Sequence, residues 1–193
     1  MVRFLLLVAL SISATSLAAD SAHQPYKGFI ARDIASLSDE DIRQLQSGAG
    51  WGLALPAELN GHPGPLHVLE LVEELALSED QVTRVTQLYD EMRAEAVVAG
   101  RALVAAERAL DMGFSAGGLV AGELRRLVQS AEEARAELRY IHLSRHLATV
   151  EILSRHQIAT YSVLRGYGDD PCVTVPDGHD PAMWRRHNGC AED

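Results

Sequence analysis

Apolar positions along most of this chain recur at alternating steps of three and four, the signature of helices with one buried face. The longest run is Val82, Val85, Tyr89, Met92, Ala96, Ala99, Leu103, Ala106 and Leu110. It predicts a helix from a Ser78 cap to about Met112, roughly eight turns of one continuous stripe. Gly113–Gly118 breaks it. A second run, Leu124, Leu127, Ala131, Ala134, Leu138 and Ile141, resumes at Ala148 and Ile152 after a polar step at Arg145, and predicts a helix over about Leu119–Leu153. No segment alternates with the period of two that a half-buried strand requires. The pattern therefore predicts an all-α fold, a long antiparallel helical hairpin with short flanking helices.

The flanks carry their own signals. Ser38 with Asp39, Glu40 and Asp41 reads as an N-cap with an acidic first turn, and Ile42 and Leu45 give that helix one apolar stripe. Residues 20–36 read as a mobile polar lead-in. From Gly48 to Pro65 the chain holds five glycines and three prolines. That composition predicts a long irregular loop, and its Trp51, Leu53, Leu55 and Leu59 predict that it wraps the helical body. Pro65 suits a first helical turn and opens a helix over Leu66–Leu75. A last helix follows Ser154, with Ile158, Tyr161 and Leu164 on one face and Gly166 as its C-terminal stop. Tyr167–Asp193 reads as a tail. The resulting organisation is 1–18 as a signal peptide, 19–63 as an N-terminal helix and loop, 64–166 as the helical domain, and 167–193 as the tail.

Composition narrows the role. Arg3, the apolar run Phe4–Leu10 and the small-x-small triplet Ser16-Leu17-Ala18 predict a cleaved export signal, too short to span a bilayer. That predicts an exported protein without a stable membrane anchor. The net charge is −10, and Lys27 is the only lysine. Nucleic-acid binding, which needs clustered basic groups, is excluded on that balance. Export permits a disulfide between the two cysteines, Cys172 and Cys190; the alternative is a pair of thiols. Two stripes of this length outrun their short companions. They predict a homodimer, or a working apolar face.

Two short motifs stand out. Leu77-Ser78-x-x-Gln81 and Leu153-Ser154-x-x-Gln157 are capping boxes in which serine caps the helix and glutamine reaches back to the cap. Two copies, each preceded by leucine and set around a long hairpin, resemble the LTxxQ motifs of the Spy/CpxP-like periplasmic family, with serine in place of threonine. The resemblance spans residues 64–166. It implies a cradle-like dimer that binds unfolded or envelope protein clients without ATP, and it extends to a heavy-metal-resistance, CnrX-like branch. The family's binding face is basic as well as apolar; here arginines such as Arg93, Arg101, Arg126 and Arg139 lie along an acidic hairpin.

Histidine supplies the alternative chemistry. His142 and His146, four apart on one helix, project from the same face and present two imidazoles to one metal. His67 and Glu70 in the helix after Pro65 join them if that helix packs nearby, as in the sensor branch, which draws ligands from an early and a late helix. The set suits Zn, Ni, Co or Cu. The other reading of the pair is interfacial or capping histidines. In the tail, His179, Met183, His187 and Cys190 are soft and imidazole ligands of the kind copper takes; the plainer reading is a clipped tail packed through Trp184. The His142–His146 spacing has Leu143 where a zinc protease carries its glutamate. No phosphate loop, nucleophile elbow or haem-attachment motif occurs, so the chain reads as non-enzymatic.

Overall fold

The computed structural model describes residues 25–170 and 172–190. The export signal and its cleavage triplet lie outside the described residues. The chain divides into two units, Met1–Arg32 and Asp33–Asp193. In the first, Lys27–Phe29 forms a 3-10 turn with the Tyr26 and Phe29 rings edge to face and the Arg32 guanidinium over Phe29. Everything below concerns the second unit.

That unit is built from α1 (Asp39–Ser47), α2 (Leu55–Glu58), α3 (Pro65–Leu69), α4 (Glu79–Ser115), α5 (Ala121–Val150), α6 (Arg155–Leu164) and α7 (Pro181–Asn188), with no β-strand among the described residues. The helices α4 and α5, 37 and 30 residues long, pack as the antiparallel hairpin that the stripes predict. Two ion pairs tie them at mid-length, Arg145 to Glu95 and Arg135 to Glu107, at 2.8 and 2.9 Å.

A third layer lies on the hairpin. Helix α1 crosses α4 at Gly100, where a Cβ would stand 2.0 Å from the Leu45 carbonyl oxygen. Backbone rests on backbone there, and Ile34, Leu37, Leu45, Met92, Ala96, Ala99, Leu103, Leu138 and Ile141 close one apolar core around the crossing. Gly48 ends α1 in the left-handed conformation at φ 75°, 2.9 Å from the Arg93 carbonyl if a Cβ is added. A second core gathers Val68, Leu75, Val85, Leu153 and Tyr161 where α3, α4 and α6 meet. Among the described residues no helix is long and apolar enough to cross a membrane.

Several expectations are corrected. The lead-in is not mobile at its end: Ile34 and Leu37 are buried, Ser36 Oγ donates to Glu107 at 2.8 Å, and Arg108 pairs with Asp33 at 2.6 Å. The Gly/Pro loop does wrap the hairpin, but it contains α2. Helix α3 stops at Leu69 rather than Leu75, because Glu70–Ala76 must turn back to deliver Ser78; Ala76 takes φ 46° there. Helix α4 runs through Gly113, on which Leu127 packs, and ends only where Gly117 and Gly118 take positive φ. Helix α5 spans Ala121–Val150 rather than Leu119–Leu153, since Leu153 already belongs to the approach to the Ser154 cap. The tail carries a helix that its composition did not predict. Asp180 caps α7, and the Cys172–Cys190 disulfide, with Cα atoms 5.5 Å apart, closes the loop that carries it.

Candidate functional site

The two capping motifs meet. Ser78 and Ser154 each accept the amide of their own glutamine, and each glutamine Oε1 accepts the backbone N–H of its own serine. The glutamines then bond to each other: Gln81 Nε2 donates to Gln157 Oε1 at 2.9 Å, and Gln157 Nε2 donates to Gln81 Oε1 at 3.0 Å. Their remaining donors reach across, Gln81 to the Ile152 carbonyl and Gln157 to the Leu75 carbonyl. The result is a near-symmetric clasp in which the polar atoms of a largely buried pair are satisfied. It joins the start of α4 to the start of α6 and closes the open end of the hairpin.

Beside it lies a cleft of about 620 Å³. Its floor is the hairpin, with Tyr89 and Met92 from α4 and His142 and His146 from α5; its cover is the loop, with Trp51, Leu55 and Gly64. Trp51 is held at φ 44° by its indole N–H, which donates to Asp41 at 2.8 Å, and by Arg135 over the ring. The acid that completes the α1 capping box thus also positions the cleft's aromatic wall.

The two imidazoles are 3% and 6% exposed. His146 Nδ1 donates to the His62 carbonyl oxygen at 2.6 Å, which leaves Nε2 as the acceptor of the neutral ring. Gly64 sits against that ring; a Cβ there would approach it to 2.9 Å. His142 Nε2 is buried with no hydrogen-bond partner among the described residues. Burial, and then the nearby His146, push the His142 pKa down, so its imidazole is neutral at pH 7.

Glu58 is the second polar centre, and sequence reasoning missed it. It is buried at the end of α2, where Tyr161 Oη donates to Oε1 and the Gly64 N–H donates to Oε2 at 3.2 Å. Arg165 and His146 lie 3.8 and 3.7 Å from its oxygens. Burial and the bond to Glu58 raise the Tyr161 pKa. The available signal was a lone carboxylate inside the apolar stretch Leu53–Leu59, a placement that calls for buried partners.

Of the proposed ligands, His67, His142 and His146 line the one cleft, while Glu70 does not. His67 Nδ1 instead donates to Glu70 at 3.0 Å on the surface. Among the described residues no group of three or more His, Cys, Asp or Glu side chains is arranged to hold a metal ion. In the tail Cys190 is spent in the disulfide, Met183 and His187 are exposed, and the His179 ring packs edge-on against Trp184. Neither known families, curated proteins nor solved structures yield a match to the chain.

Proposed function

We propose that the protein is an exported, periplasmic helical interaction protein of the Spy/CpxP-like kind, which holds apolar segments of unfolded or envelope proteins without nucleotide. The observation that supports this reading is the far end of the hairpin. Beyond Asp111, which accepts the Ala35 N–H, no third layer of this unit covers the hairpin among the described residues, and Met112, Phe114 and Val120 are each 60% or more exposed. Val128 is also exposed, and Leu124 and Leu127 are half-buried beside them. A cluster of this kind on a rigid arm suits a weak, sequence-tolerant grip on extended apolar chain. Arg125 and Arg126 flank it, the basic complement that the family resemblance leads one to look for.

The test is suppression of aggregation of a denatured client by the mature protein at near-stoichiometric ratio. The expected result is suppression without nucleotide, reduced severalfold in a Met112→Ser/Phe114→Ser variant that unfolds at the wild-type temperature. No suppression at any salt concentration overturns the reading. The same apolar end is the surface through which a homodimer would form; sedimentation at micromolar concentration should then give twice the monomer mass in the wild type, with or without reductant, and a monomer in the double variant. The alternative, a metal sensor or resistance protein, rests on His142 and His146, and two ligands alone hold a metal weakly.

A further inference from the structure

The cleft over His142 is unrelated to the exposed end of the hairpin, and its chemistry is different. Its walls are aromatic and apolar, supplied by Trp51, Tyr89, Met92 and Leu55. Its volume falls in the range that takes a small organic ligand. Most of its polar groups are already engaged. Both Glu58 oxygens accept protein donors, His146 Nδ1 is committed to the His62 carbonyl, and Arg93 is exposed, its Nε directed to the Ser47 carbonyl. Of the cleft's fully buried side-chain polar atoms, His142 Nε2 has no partner among the described residues. A buried polar atom of that kind in a formed cleft marks where a ligand's polar group belongs.

We propose that the cleft binds a small neutral aromatic molecule bearing a hydroxyl group, its ring between Trp51 and Tyr89 and its hydroxyl on His142 Nε2, an atom covered in the empty cleft that a turn of the lining imidazole presents to the ligand. Aromatic walls favour a ring by offset or edge-on packing, and the Met92 thioether adds to that preference. A hydroxyl both donates and accepts, so it satisfies either tautomer of a neutral imidazole. A carboxylate is disfavoured, because Glu58 already brings a negative charge to the cleft wall, and Arg165, 3.8 Å from it, does not line the cleft. An ammonium is disfavoured as well, because the Glu58 oxygens are saturated by Tyr161 and Gly64.

Calorimetry on the mature full-length protein with p-cresol, toluene, p-toluate and Zn²⁺ separates these chemistries. The expected result is one saturable site for p-cresol, with toluene at least about tenfold weaker because it leaves the imidazole unpaired, and p-toluate weaker still. His142→Leu should bring p-cresol down to the affinity of toluene while leaving toluene unchanged. If that variant does not fold, the His142 ring resonances of the wild type give the second readout, and they should shift on adding p-cresol but not on adding p-toluate. Equal binding of p-cresol and toluene, a preference that survives His142→Leu, or no saturable site overturns the proposal. So does Zn²⁺ binding that excludes p-cresol, which gives the cleft to a metal.

Discussion

The two ends of the same hairpin are built on opposite terms. At the clasped end, α1, the loop, α3 and α6 cover both long helices, and the buried groups include Glu58, His142, His146, Thr149 and Gln157. At the turn end, no third layer of this unit covers the two helices among the described residues, and large apolar side chains are exposed. The stripes on α4 and α5 run through both ends with the same period. What differs is the partner. A stripe becomes core only where another element reaches it, and α1 with its lead-in reaches no further than the neighbourhood of Asp111, whose carboxylate accepts the Ala35 N–H. The covered end supports buried polar chemistry, because enough backbone and side-chain donors converge to satisfy it. The turn end leaves large apolar side chains in water.

Glycine gives the sharpest way to break that contrast. Gly100→Ala places a methyl group 2.0 Å from the Leu45 carbonyl oxygen, and backbone cannot step aside as a side chain does. Helix α1 must lift off α4, and we expect a loss of about 4 kcal/mol or more, the range of severe core disruption. Gly113→Ala meets side-chain ends alone, Leu127 Cδ1 at 3.0 Å and Leu119 Cδ1 and Cδ2 at 3.5 and 3.7 Å. There the helix propensity of alanine offsets the tight contact, and we expect a change within about 1 kcal/mol. Denaturant unfolding of both variants measures the difference. Equal effects would mean that α1 does not rest on α4 as described.

The clasp comes next in size. Gln157→Leu leaves the Ser154 N–H, the Leu75 carbonyl and Gln81 without their partner in a largely buried place. At roughly 1–3 kcal/mol for a stranded buried group, partly relieved by water, the expected cost is about 3 kcal/mol. Gln81→Leu should cost less, since Gln81 is only half-buried. The double variant should cost less than the sum of the two singles, because each strands the other. Strict additivity in that cycle would dissolve the clasp into two independent caps.

The clasp also shows what was legible in the sequence. Each capping box was readable, because its bonds are local, between residues three apart. That the two boxes bond to each other was not, because the contact spans 76 residues and depends on how α6 folds back. The hairpin and its stripes were legible for the same local reason. The lead-in was misread because the apolar residues buried at its end are the single Ile34–Leu37 pair, too short to show a period. Helix α7 was hidden because a capping aspartate followed by Pro181 looks like loop composition until the disulfide confines it. At the site, the helical spacing of His142 and His146 placed both on one face, and both are buried there. Glu70, nominated with His67, bonds His67 at the surface and does not line the cleft. The one that matters, Glu58, arrives on a loop whose path no periodicity encodes.

The smallest expected effect is a dependence on pH confined to the covered end. Burial, with His146 one turn away, holds the folded-state pKa of His142 below its ordinary value of 6.5. His67 and Glu58 face the same cleft from the loop side. The unfolded chain therefore takes up a proton in a range where the folded chain still resists it. Stability from this group is complete above about pH 6.5 and declines as pH falls from there toward the depressed folded value. The carboxylates lowered by their partners, Asp33 beside Arg108 and Glu40 beside Gln44 and Arg43, act at lower pH, so the window between about pH 7 and 5 isolates histidine. Denaturant midpoints at the two ends of that window should fall for the wild type and fall less for His142→Leu. Phe114→Ser, at the bare end, should reproduce the wild-type slope. If His142→Leu keeps the full slope, His142 is not the group that resists protonation. If Phe114→Ser changes it, the two ends of the hairpin are not independent.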